Sequence, residues 1–403
     1  MTTLWPLEKL CEEVKAIVKN SGLWPAMESS IVEYDKVTVS ALCERFYGET
    51  NTTLFPFSEM VVTPDDALQI LCLEVEGKAI SDSYNDGISW ENIFKFKKIL
   101  FSLDEKLSES LFVKKDGYIS RKLCLKMLMD TYSGTQKTYD DEGSVPMISG
   151  SLVDSKYLQL LHPFHEMHKY SWGTAVVAFL NAELTKGLRA LAKQVNGNLC
   201  LIQVWVYEHF PSLLKGNPHI KVNTKLASHL PRGQRYSFIG AQDKDMSHHL
   251  INMRVSLDKM TADEVIFNMY RDDRNEGFSM YDPHRVMRQL GYIQEKPHAS
   301  DDMFFKVDRA GCNTSQKSID VCYAPQPEIS HWNGRYNRKT DTSLLDEVTE
   351  GREAHENYMS WYLGFARPTV IREETIEQPA CKRKMPPKYP TTSLKNFVSI
   401  LLF

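Results

Sequence analysis

The chain has 403 residues, 42% of them hydrophobic and 25% charged, enough apolar material for a substantial buried core. A net charge of −4 excludes a surface coated in basic residues for duplex DNA, although it leaves room for a local basic groove. The 8 cysteines include no C-x-x-C pair, which excludes the common zinc-ribbon and redox spacings and fits reduced, buried thiols.

From the N-terminus, Leu7, Leu10, Cys11, Val14, Ile17 and Val18 recur at helical spacing. Glu8 and Lys9 break that apolar stretch, so no signal-peptide core is expected and the protein reads as soluble and intracellular. Residues 52–62 have the character of a hairpin, with Pro56 limiting it to an edge. Thr63-Pro64-Asp65-Asp66 then reads as an N-cap, a first-position proline and two acids on the helix dipole.

A second helical stripe runs through Trp90, Ile93, Phe94, Leu100 and Phe101. A third and longer one runs from Trp172 through Val176, Phe179, Leu180 and Leu184 to Leu191. The stretch 199–207 is apolar on every side and is assigned to a buried helix, because it follows a helical stripe and stops at Pro211. Trp172 and Trp205 are expected in one core. Thr261 with Glu264 has capping-box spacing, and Asp282-Pro283 opens a short helix that Gly291 can close. A fourth stripe passes through Leu344, Val348, His355, Tyr358, Met359, Tyr362 and Leu363. Residues 133–150, 215–245 and 296–342 lack periodicity and read as connectors, and the Pro- and Lys-rich tail from 366 to 403 as flexible. The predicted fold is mostly α: a multi-helix globular domain over 5–365 with a small β-hairpin near the N-terminal third.

Chemistry-bearing clusters are few. His162, His165 and His168 sit at i, i+3, i+6, which spreads them around a helix, and His165-Glu166-Met167-His168 is one residue short of a zincin motif; no metal site is assigned. Lys95, Lys97 and Lys98 share a helix, where a solvated face is the ordinary role. Arg285, Arg288 and Gln289 form the polar side of a short helix and are candidates for a phosphate or partner contact. Arg335, Tyr336, Arg338 and Lys339 place an aromatic ring among basic residues in a long loop, suited to stacking on a base. Lys382, Arg383 and Lys384 are the candidate nuclear import signal. GxGxxG, Walker A, GxSxG and HExxH motifs are all missing from the sequence, so neither an enzyme nor a cofactor is expected.

Four segments together resemble the plant mobile domain family. They are Ala41–Tyr47 with Glu49–Thr52 and Ser58–Thr63; Tyr170–Leu180 with Leu201–Trp205 and Glu208–Pro211; Pro283–Gly291; and Trp332 with Arg335 and His355–Tyr362. Ser58 stands at a usual glycine, Pro64 interrupts the block that follows, and Phe46-Tyr47-Gly48 replaces a Trp-Arg-Pro, the marks of a divergent member. The resemblance implies a mainly helical nuclear protein without catalytic activity, acting in transposon and gene silencing, meristem maintenance or genome stability. It also implies a nuclear protein partner, of which a phosphatase of the protein phosphatase 7 long-form class is one candidate. The alternative is a nucleic-acid-binding module derived from a transposable element.

Overall fold

A computed structural model describes residues 16, 18–29, 35–48, 50–80, 85, 87–101, 112–115, 118–124, 152–187, 195, 197–215, 217–240, 246–270, 283–297, 345–347, 353–366 and 368–369. In chain order these form α1 (Trp24–Glu28), α2 (Lys36–Cys43), β1 (Phe46–Tyr47), β2 (Thr52–Phe55), β3 (Ser58–Met60), α3 (Pro64–Leu71) and α4 (Trp90–Phe101). Next come β4 (Phe112–Lys115), β5 (Tyr118–Cys124), β6 (Leu152–Asp154), α5 (Trp172–Gly187), α6 (Leu199–His209), β7 (Ile220–Val222), β8 (Tyr236–Phe238), α7 (Met246–Lys259) and α8 (Glu356–Phe365), with short 3-10 turns between. The described residues are mainly helical with small antiparallel sheets, as expected. They fall into two units, one within Met1–Val32 and Cys72–Ala175, the other within Glu33–Leu71 and Val176–Lys384.

In the first unit, β4, β5 and β6 pair antiparallel in that order, a sheet that the sequence reading did not foresee. α4 presents Ile93 to the interior, and Phe112 packs edge-on against Trp90 at 5.2 Å. Lys97 departs from the expected solvated face. It is fully buried, its ammonium 3.8 Å from the centroid of the Phe112 ring, while Lys95 and Lys98 stay exposed.

The start of α5 is gripped by the segment 73–78. Gly173 N–H, an orphan donor of the first helical turn, donates to Glu74 O at 2.7 Å, and Thr174 Oγ1 donates to Val75 O at 2.9 Å. A Cβ on Gly173 would lie 2.8 Å from Leu73 O, so the close approach requires glycine. The indole N–H of Trp172 donates to Met167 O at 2.7 Å, giving that buried ring its polar partner.

In the second unit, α6 is the axis, buried from Leu201 to His209, which explains why its sequence as far as Tyr207 is apolar on every side apart from Gln203. α6 packs on α2 and α3, and α7 packs on α2. Trp172 and Trp205 are both buried, as expected, Trp172 in the first unit and Trp205 in the second. β2 and β3 form the anticipated hairpin, with Leu54 opposite Glu59 and Phe55 opposite Ser58, and Pro56 lies in its turn. Phe55, Phe57, Phe210 and Phe267 make one aromatic cluster, with Phe55 and Phe210 centroids 5.0 Å apart and Phe57 edge-on to Phe267 at 5.8 Å. α8 adds Tyr358 and Tyr362, stacked at 5.8 Å and buried with Leu54. Residues 220–222 and 236–238 pair as β7 and β8, where the sequence suggested only connector: strands this short, with Lys221 between Ile220 and Val222, carry too little alternation to read.

Candidate functional site

The caps expected at Thr63 and Thr261 and the stop at Gly291 form, while Asp282 lies outside the described residues and 283–290 make two 3-10 turns rather than one helix. Thr63 Oγ1 donates to Asp66 Oδ2 at 2.7 Å and accepts from Asp66 N at 3.2 Å. Thr261 and Glu264 close a capping box, and Gly291 ends its 3-10 turn at φ 88°. Asp66 does more than cap. It is buried, and its Oδ1 faces His209 Nε2 at 3.4 Å, while His209 Nδ1–H donates to Ile266 O at 2.6 Å.

The polar side of the segment 285–289 is turned inward. Arg285 reaches both carboxylate oxygens of buried Glu59, at 3.1 and 3.2 Å, and Thr52 Oγ1 donates to the same group at 2.9 Å. Arg288 donates to Phe57 O at 3.0 Å and Glu353 O at 3.2 Å, and lies over the Phe267 ring at 5.0 Å. Burial pulls its guanidinium below the usual arginine value. Gln289 pairs with Val61 twice, accepting from its N–H at 2.8 Å and donating to its carbonyl at 2.9 Å. These three side chains fasten two successive 3-10 turns to the β2–β3 hairpin and the residue that follows it. Arg335, Tyr336, Arg338, Lys339, Lys382, Arg383 and Lys384 lie outside the described residues.

Elsewhere in this unit, buried Glu208 accepts from Arg232 at 2.8 Å and from Tyr236 OH at 2.7 Å. Asp35 caps α2 through Val37 N–H and Thr38 N–H at 3.0 and 3.1 Å, and takes Tyr207 OH at 3.3 Å. Burial pushes the phenols of Tyr207 and Tyr236 upward, with the facing carboxylates adding to the effect, so both stay neutral donors.

One open cleft of about 630 Å³ lies in the second unit, between α7 and the segment that runs from the end of α6 to β8. Its lining includes Leu213, Met253 and Met260, with the polar groups Asp35, Lys215, His219, His249, Asn252, Lys259 and Glu264. The imidazoles of His219 and His249 are 6.0 Å apart. Nothing in the sequence reading singled these residues out, since 215–245 read as connector and α7 lacks an apolar stripe. The available signal was His248-His249 followed by Met253 and Met260, within and just after α7. The H-x-x-H-x-x-H run sits on 3-10 turns interrupted by Pro163, its three imidazoles exposed. Among the described residues, no three His, Cys, Asp or Glu side chains group as metal ligands, and no helix is long and apolar enough to cross a membrane.

The sequence matches the family model described as "Plant mobile domain" over residues 22–278. It is 25% identical over 393 residues to "Protein MAIN-LIKE 2" of Arabidopsis thaliana, covering 88% of this chain and 55% of that protein. It is 28% identical over 218 residues to "Protein MAINTENANCE OF MERISTEMS", covering 50% of this chain and 43% of the relative. A third Arabidopsis protein, "Serine/threonine-protein phosphatase 7 long form homolog", is 23% identical over 413 residues, 91% of this chain and 29% of the relative. The chain thus spans about half or less of the length of these relatives. No solved structure matches.

Proposed function

The chain belongs to the plant mobile domain family, and on that premise we propose that it is a non-enzymatic nuclear protein that works by holding a protein partner. The processes it serves are transposon and gene silencing, developmental gene control in meristems, or genome stability. The reading is carried by one observation. The polar side chains of its most distinctive segments, Glu59, Asp66, His209, Arg288 and Gln289, are buried and spent on internal hydrogen bonds. Outward-facing chemistry gathers instead in an open cleft of amides, lysines and thioethers, groups suited to holding a ligand. The relative named for meristem maintenance supports the developmental role, and the phosphatase 7 long-form homolog supports a phosphatase of that class as partner.

Affinity capture of the full chain from nuclei, with and without nuclease, tests the reading. Partner proteins retained after nuclease are the expected result. Loss of every partner on nuclease treatment would overturn it and favour direct nucleic-acid binding. The sequence feature behind that second reading is Tyr336 set among Arg335, Arg338 and Lys339. Neutralising about three phosphates would give a log–log salt slope of roughly −2 to −3.

A further inference from the structure

We infer that the cleft beside α7 docks an acidic, amphipathic peptide segment of a protein partner. Carboxylates or phosphates of the segment meet Lys215 and Lys259, and its apolar side chains lie on Leu213, Met253 and Met260. The inference rests on the partner-binding reading above and names the chemistry of the partner.

Charge availability is the first argument. The carboxylates that border the cleft are already committed: Asp35 to Val37 N–H at 3.0 Å and Thr38 N–H at 3.1 Å, Glu264 to Thr261 N–H at 3.0 Å. Lys215 and Lys259 are exposed and have no ion-pair partner among the described residues. Asp35 is buried at 3% exposure, so the exposed charge lining the cleft is Lys215 and Lys259 against Glu264 alone, a positive balance.

Hydrogen-bonding direction agrees. Asn217 Oδ1 accepts from His219 N–H at 3.0 Å, which leaves the amide NH2 of Asn217 as the donor side. His219 Nδ1 faces Ile239 O at 3.1 Å and so carries a proton, with Nε2 left for a ligand. Ser212 Oγ, also in the lining, is buried without a hydrogen-bond partner.

The apolar part selects a peptide over a nucleic acid. Thioethers adapt to varied side chains, as at promiscuous peptide-binding surfaces. A single-stranded nucleic acid wants successive aromatic platforms, whereas Phe238 is the one phenyl or indole ring lining the cleft.

The test titrates the full chain by fluorescence anisotropy with a labelled synthetic peptide of alternating Glu and Leu. Companion probes are the same peptide with Lys for Glu, one with phosphoserine for Glu, and oligothymidine. The Glu peptide should bind saturably and the Lys peptide should not; tighter binding of the phosphoserine form would identify phosphate as the preferred anion. The K215E/K259E double variant, made at exposed positions, should keep its melting curve and weaken the Glu peptide by about tenfold or more. Met253→Gln should weaken it with the lysines intact. Equal affinity of wild type and double variant, no saturable peptide binding, or tighter, K215E/K259E-sensitive binding of oligothymidine would each overturn the inference. If the peptide fails while nuclear capture still recovers partners, the cleft assignment falls alone; if capture also fails, the partner reading falls with it.

Discussion

A glutamine amide carries the donor and acceptor of a peptide group, and Gln289 spends both on Val61 in a buried position. Replacing it by Leu leaves a backbone N–H and a C=O of Val61 without those partners, at about 1–3 kcal/mol for each unsatisfied group. Gln289→Leu should therefore lower the denaturant midpoint by an amount equivalent to roughly 2–5 kcal/mol. An unchanged midpoint would mean that the turn is not fastened there. Arg285 and Arg288 were legible as important from their motif but not as interior, because their partners Glu59 and Phe57 lie 226 and 231 residues away in sequence. Lys97 was misread for a related reason. A lysine in a basic run signals solvent, and the aromatic faces that receive it belong partly to another element, Phe112 of β4.

Among the elements, helices with local punctuation were readable from sequence. Thr63-Pro64-Asp65-Asp66, Thr261 with Glu264, and Gly291 each act within a few residues of themselves, and each takes the conformation its chemistry demands. The strands β4 to β8 were not, since their pairing is set by partners rather than by alternation within three to seven residues. Glycines in two helices give a matched test. In a solvated helix, Ala is favoured over Gly by about 1 kcal/mol. Gly364 in α8 has nothing within 4 Å of an added Cβ, so Gly364→Ala should raise the melting temperature by a few degrees. Gly173 in α5 faces Leu73 O at 2.8 Å, so Gly173→Ala should lower it despite the same gain in propensity. Equal effects at the two sites would show that the grip of residues 73–78 on α5 is absent.

For the whole molecule, buried phenols make alkaline pH a probe of integrity. Burial pushes Tyr358 up to about 12 from its ordinary 10.0, and drives Tyr207, Tyr236, Tyr270 and Tyr362 in the same direction. A phenol that holds its proton better when folded contributes fully below pH 10 and loses that contribution as pH rises towards 12. Ultraviolet titration should show these tyrosines ionising in one cooperative step that coincides with loss of circular dichroism between those limits; gradual ionisation with structure retained would contradict their burial. The nuclear role proposed above requires entry, and a mass of 46.4 kDa makes passive passage slow. Alanine replacement of Lys382, Arg383 and Lys384 in a fusion to a large fluorescent reporter should leave it in the cytoplasm, and continued nuclear accumulation would clear those residues. The pairing of Gln289 with Val61 also bears on how copies of the chain behave together. Val61 directly follows β3, an outer strand of its sheet, and unpaired peptide groups at such a margin recruit strands from neighbouring molecules. The side-chain amide occupies that margin as a terminating rung would, so its loss should show in light scattering of concentrated samples as well as in stability.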